Sequence, residues 1–128
     1  MKILLDTHVI IWYFQDSKKL SLNISRLLEN SDNQLKVSIV SLWEIAIKLS
    51  LGKLDLGVSF HDFQGLLKNL SIKVLPISLT DTEEYLNLPL HHRDPFDRML
   101  IAQAIANSLT IVSADAALDA YPVQRLWA

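Results

Sequence analysis

The segment Ile3-Leu4-Leu5-Asp6-Thr7-His8 is an unbroken apolar run that ends on a carboxylate and passes at once into a stretch of helical period, Thr7 to Phe14. Consecutive apolar residues without alternation read as a strand buried on both faces. Asp6 then sits where a strand hands over to a helix and its side chain can leave the core. The same grammar recurs along the chain. Leu35 to Val40, Ile72 to Ile77 and Leu109 to Val112 are further apolar runs, with Val123 to Trp127 as a candidate fifth. Between them lie segments of helical period: Ser21 to Glu29, Ser41 to Leu51 with Gly52 as a stop, His61 to Leu70, Thr80 to Leu88, and Phe96 to Asn107 behind the N-cap pair Asp94-Pro95. Strand and helix in alternation imply an α/β fold, a single three-layer domain over residues 1–128 with a mostly parallel sheet of about five strands flanked by helices. In such sheets, sites form outside the C-terminal ends of the strands.

Composition agrees with one self-supporting domain. The chain has 128 residues, 50% apolar and 20% charged, and no cysteine. A chain of this length buries about two-thirds of its unfolded surface and needs no disulfide or structural metal. Disulfide scaffolds, thiolate zinc sites and cysteine nucleophiles are excluded together, and a reducing cytoplasm is the expected location. The apolar run at the N-terminus is too short for a signal sequence, and no stretch approaches the roughly 18 apolar residues of a membrane span. Twelve Lys and Arg against fourteen Asp and Glu give a net charge of −2, so affinity for a polyanion is not built into the whole surface. A nucleic-acid substrate would need a local offset to that repulsion, which a divalent cation supplies.

Four acids are predicted to meet on that scaffold. Asp6 and Asp115 each follow a strand, while Glu44 and Asp97 are each placed in the first turn of a helix whose N-terminus faces the same sheet edge. Clustered carboxylates in a partly desolvated pocket repel one another unless a cation compensates. Hard oxygen donors select Mg²⁺ or Mn²⁺ over zinc, and such ions activate water and stabilise charge on a transferring phosphoryl group. No Gly-rich phosphate loop, Gly-x-Ser-x-Gly elbow or His-Glu-x-x-His motif is present.

Leu4-Leu5-Asp6-Thr7-His8, Ser41-Leu42-Trp43-Glu44-Ile45, Asp94-Pro95-Phe96-Asp97-Arg98 leading into Leu100-Ile101-Ala102-Gln103-Ala104, and Val112-Ser113-Ala114-Asp115 occur in that order. Together they resemble the PIN-domain family, and in particular the VapC-type ribonuclease toxins of toxin–antitoxin pairs. The resemblance covers the whole chain. It implies a metal-dependent endoribonuclease in which Asp6, Glu44, Asp97 and Asp115 hold Mg²⁺ or Mn²⁺ and the attacking water, with Thr7 and Ser113 as supporting hydroxyls. It also implies an RNA substrate, a cognate antitoxin that docks in an apolar groove, and pairing of two copies as a homodimer.

Plainer readings stand beside these. Ser41-x-x-Glu44 fits a capping box and Glu44 pairs in register with Lys48; Asp94 reads mainly as a cap, Asp97 suits the helix dipole, and Asp115 suits the start of a short helix. Arg98 and Arg93 are within reach of a phosphate, but solvated salt bridges are an equal reading. The four histidines show no ligand spacing, and His91-His92 reads as solvated loop. Trp12-Tyr13-Phe14 reads as core packing, with a partner groove as the alternative. Two rival functions remain in view. A degenerate domain kept for protein binding is disfavoured by four intact acids. A phosphoacceptor receiver is disfavoured because Asp6 stands alone and no Lys follows Lys73.

Overall fold

In the computed structural model, which describes residues 1–127, five parallel strands form one sheet in the order β3-β2-β1-β4-β5. The strands are β1 (Lys2–Leu5), β2 (Gln34–Ser38), β3 (Ile72–Leu75), β4 (Thr110–Val112) and β5 (Arg125–Leu126). Six helices connect them: α1 (Thr7–Phe14), α2 (Leu22–Glu29), α3 (Ile39–Ser50), α4 (Phe60–Asn69), α5 (Leu79–Asn87) and α6 (Pro95–Asn107), with a 3-10 helix over Ala116–Ala120 before β5. This is the α/β architecture expected from the alternation. A receiver-like flavodoxin order, 2-1-3-4-5, is not the one found.

The pleat of β1 divides the hydrophobic core. Ile3 and Leu5 point into one cluster with Ile10, Val37, Ile45 and Phe63, on the side of α1 to α4. Leu4 points into the other with Leu100, Ile101, Ile111 and Leu118, on the side of α6. All three β1 residues are fully buried, which is why the run Ile3-Leu4-Leu5 shows no alternation. The edge strand β3 departs from the expectation of burial on both faces. Lys73 and Val74 are exposed there, because only one neighbour pairs with it and no helix covers its outer side.

Local chemistry sets the element ends. Ser21, Ser59 and Ser78 each accept a bond from the third amide of the helix they precede, and Ser78 with Asp81 completes a capping box. Asp94 caps α6, accepting from the amides of Phe96 and Asp97, with Pro95 at the first helical position as expected. Past the end of α3, Gly52 takes φ +67° and its amide bonds the Leu49 carbonyl, the stop anticipated for it. One boundary moves. The run Leu35 to Val40 is not all strand: Ser38 caps α3 by accepting from the Val40 amide, so the helix starts at Ile39. Ser41-x-x-Glu44 is therefore not a capping box, and Glu44 lies in the second turn of α3 rather than the first. Ser38, three residues upstream, took the cap because β2 ends there, which the apolar pattern across the junction conceals.

Helices α5 and α6 are pinned by a buried carboxylate. Asp81, 1% exposed, accepts from the Ser78 amide (3.0 Å) and Gln103 Nε2 (3.2 Å) on one oxygen and from Asn107 Nδ2 (3.1 Å) on the other. Every bond requires an acceptor from Asp81. Asp81→Asn, which turns one acceptor into a donor, should cost about 1–3 kcal/mol in urea unfolding while leaving metal binding unchanged.

Candidate metal centre

The first acid is held by a residue from the other end of the chain. Asp6 stands at the N-cap position of α1, but its carboxylate bonds no helix amide. Ser113, just past β4, donates its hydroxyl to Asp6 Oδ2 at 2.6 Å, and the Asp6 amide bonds the Val112 carbonyl at 3.0 Å. The same Ser113 oxygen accepts from the Asp115 amide at 3.0 Å. One buried hydroxyl thus sets Asp6 relative to Asp115. Thr7 donates to Ser41 at 2.9 Å, a buried bond that ties the start of α1 to α3.

The remaining groups arrive from the helical side. Asp97 is the third residue of α6, where the Asp94 cap fixes the backbone. Its Oδ2 lies 3.2 Å from His92 Nε2, and Asp115 Oδ2 lies 3.4 Å from the same nitrogen. His92 Nδ1 accepts from the Asp94 amide at 3.1 Å, so the neutral ring carries its proton on Nε2, aimed at both carboxylates. Asp115 divides its oxygens: Oδ1 caps the 3-10 helix through the Ala117 amide, and Oδ2 faces His92. Glu44 sits beside them, 3.6 Å from Lys48 one turn on.

Electrostatics mark the cluster as short of positive charge. Burial pushes the Asp6 carboxyl above its usual range, while the Ser113 hydroxyl and His8 pull it down. Asp97 is pushed up to about 7, first by burial, then by the charges of Asp6 and Asp94, with His92 opposing and Glu44 adding to the rise. Among the described residues no Lys or Arg is ion-paired with Asp6, Asp97 or Asp115. One donor atom from each of His92, Asp97 and Asp115 lies within 4.8 Å of the other two. The carboxylate oxygens at that spacing fit a divalent cation, with the Nε2–H imidazole beside them as a hydrogen-bond donor rather than a ligand.

A family model of the PIN domain matches residues 3–124. The chain belongs to the PIN domain family. Ribonuclease VapC22 of Mycobacterium tuberculosis is 26% identical over 122 residues, which cover 93% of this chain and 91% of that one. Among solved structures, this PIN domain is similar to a chain of VapBC2 from Rickettsia felis, solved bound to a promoter DNA fragment, with TM-score 0.73 and 18% identity over 98% of both chains. A chain of VapBC-1 from nontypeable Haemophilus influenzae gives TM-score 0.71 and 16% identity over 98% and 97%. At those identities the structural likeness speaks for the fold.

Within this PIN domain, Asp6, Glu44, Asp97 and Asp115 gather at one sheet edge, as do the hydroxyls of Thr7 and Ser113. Arg98 does not face the acids. It is 8% exposed, with Nη1 donating to the Pro89 carbonyl at 3.1 Å and its guanidinium 4.8 Å from the Tyr85 ring. Those contacts leave it a structural cation rather than a phosphate contact. Arg93 is exposed. His92, read from sequence as solvated loop, is instead half-buried between two acids; its only signal was its place five residues before Asp97. Trp12, Tyr13 and Phe14 are half-buried and pack against the core, Phe14 edge-on to Phe63 at 5.0 Å, as the core reading expects.

The Asp97 shift has a signed consequence for the metal-free protein. Folded and unfolded chains both hold the proton well below pH 3.8; between there and about 7 only the folded chain holds it, so stability falls as pH rises, and the full penalty stands above about 7. Asp97→Asn should therefore raise the Tm of metal-free protein at pH 8, by about 3–5 °C for each 1 kcal/mol of relieved repulsion, and the gain should vanish near pH 3. A lower Tm at pH 8 would show that Asp97 is stabilising as an anion.

Proposed function

We propose that this chain is a Mg²⁺- or Mn²⁺-dependent endoribonuclease that acts as the toxin of a toxin–antitoxin pair. The observation that carries the reading is the convergence of Asp6, Asp97, Asp115 and Glu44 on one edge of a parallel sheet, with Asp97 raised to about 7 by burial and then by the neighbouring acids. Similarity to a protein named as a ribonuclease supports the substrate class, and the likeness to VapBC chains supports a cognate antitoxin as partner.

Asp6, Asp97 and Asp115 would hold the cation, with Glu44 and His92 at its margin. A divalent ion held there would supply an acidified water and offset charge on the phosphate. The chain's own part is preorganisation. Ser113 fixes the spacing of Asp6 and Asp115, and the Asp94 cap fixes the first turn of α6 and with it Asp97. His92 Nε2–H faces the same carboxylates and is placed to donate to an oxygen drawn in beside them. Surface for a protein partner lies on α3: Trp43 is 60% exposed, and with Val40, Ile77, Tyr85, Phe96 and Met99 it lines an apolar cavity of about 380 Å³ that contains none of the acids. Apolar surface of this kind serves the antitoxin and the homodimer in our reading.

Purified, partner-free protein should cleave RNA with Mg²⁺ or Mn²⁺, stop in EDTA, and lose activity by about 100-fold or more as Asp6→Asn with an unchanged circular dichroism spectrum. Equal cleavage by Asp6→Asn would overturn the assignment. Absence of both cleavage and metal binding would leave a protein-binding PIN domain. With a net charge of −2, RNA affinity should also fall only shallowly with salt, the slope matching a few phosphates; a steep slope would contradict cation-centred binding.

A further inference from the structure

The loop between α5 and α6 carries His92, and its shape is set by a side chain outside the acid cluster. Tyr121 follows the 3-10 helix and is 3% exposed, its ring packed among Leu4, Leu100, Ile101 and Leu118. Its hydroxyl donates to the Pro89 carbonyl at 2.8 Å and accepts from the amides of His91 at 3.0 Å and His92 at 2.8 Å. One donor and two acceptor sites are thereby all used on a single loop. Arg98 adds a bond to the Pro89 carbonyl at 3.1 Å from the base of α6.

Local preference does not account for this. Residues 89–92 belong to no helix or strand; the His91 amide turns back to the Pro89 carbonyl at 3.0 Å and the Asp94 amide meets His92 Nδ1 at 3.1 Å, but the His92 amide itself is bonded only by the Tyr121 hydroxyl, which holds its backbone where Nε2 meets Asp97 and Asp115. Tyr121 does so from six residues beyond Asp115, and the segment 115–121 thus supplies both an acid and the anchor for the imidazole opposite it. A buried phenol requires partners. Here every strong partner lies on the loop that bears His92.

We propose that Tyr121 is a positioning residue: its hydroxyl, supported by Arg98, locks the 89–92 loop so that the His92 Nε2–H is held against Asp97 and Asp115 and orients the two carboxylates of the cation site. The inference rests on reading those acids as a metal centre, and it makes His92 a part of that centre.

The test is Tyr121→Phe, which keeps the ring and removes only the hydroxyl, measured with His92→Ala and the double variant. Mn²⁺ affinity should fall about 10-fold in Tyr121→Phe, the scale of an outer-sphere loss. In the His92→Ala background the same change should cost nothing further, because the group it positions is gone. In metal-free protein at pH 8, the His92 ¹⁵N signals should report the single Nε2–H tautomer in the parent and a mixed or shifted one in Tyr121→Phe. Unaltered Mn²⁺ affinity and His92 signals in a folded Tyr121→Phe would overturn the proposal, as would a loss that adds in full to that of His92→Ala. Should Tyr121→Phe not fold, the parent decides: the His92 amide should be protected from hydrogen exchange although it lies in a loop, and rapid exchange would overturn the latch. A parent that binds no Mn²⁺ would sink the metal-centre reading, while the tautomer and exchange measurements would still decide whether Tyr121 places His92.

Discussion

The hydrogen bond from Ser113 to Asp6, 2.6 Å long and buried, joins the two central strands at the point where each leaves the sheet. Asp6 is only 6% exposed, and a carboxylate so placed is costly unless something donates to it. Its side chain makes no cap bond to its own helix, and the donor is Ser113, just past β4, the strand that follows α6. Because the same oxygen accepts from the Asp115 amide, moving Ser113 would shift two acids at once. The register of β1 with β4, Leu5 beside Val112, is what brings that hydroxyl into reach.

Around this bond no Lys or Arg of the described residues forms an ion pair with Asp6, Asp97 or Asp115. Arg125 forks onto Asp119 at 2.8 and 2.9 Å and reaches the centre only at the Ser113 carbonyl, 3.1 Å away; Arg98 is taken up by the Pro89 carbonyl and the Tyr85 ring, and Lys48 pairs with Glu44 at the periphery. The group that does lie between Asp97 and Asp115 is an imidazole, not the fixed positive charge of a Lys or Arg. An arginine there would satisfy the acids permanently and close the site to an exchangeable ion. Burial first, and then the uncompensated charges of Asp6 and Asp94, raise Asp97 to about 7. That rise is a local instability tolerated at the point where charge compensation is needed from outside.

Capping and function share residues without conflict. Asp115 gives one oxygen to the 3-10 helix and turns the other toward His92, while Asp94 takes the cap of α6 and leaves Asp97 unencumbered in the first turn. The plain readings of Asp94 and Asp115 as caps are correct as far as they go. A helix N-terminus suited to capping also aims its first-turn acid toward the sheet edge, so the two roles coincide in space.

Much of this was legible in the chain itself. Ile3-Leu4-Leu5 followed by Asp6 specifies a buried strand ending on an acid, because an unalternating apolar run needs cover on both faces and a carboxylate cannot stay inside with it. Asp94-Pro95 specifies the start of α6 through its own local bonds, and with it the place of Asp97. What depends on distant segments was not legible. Ser113 was expected to support the site, but that its hydroxyl donates to Asp6, 107 residues away, was not visible; the serine that caps α3 is hidden at a strand end inside an apolar run, and His92 gains its role from a phenol 29 residues away. Periodicity and caps are properties of neighbours in sequence, and they decide elements; hydrogen-bond partners across the sheet edge exist only once strand order and register bring them together, and they decide the site.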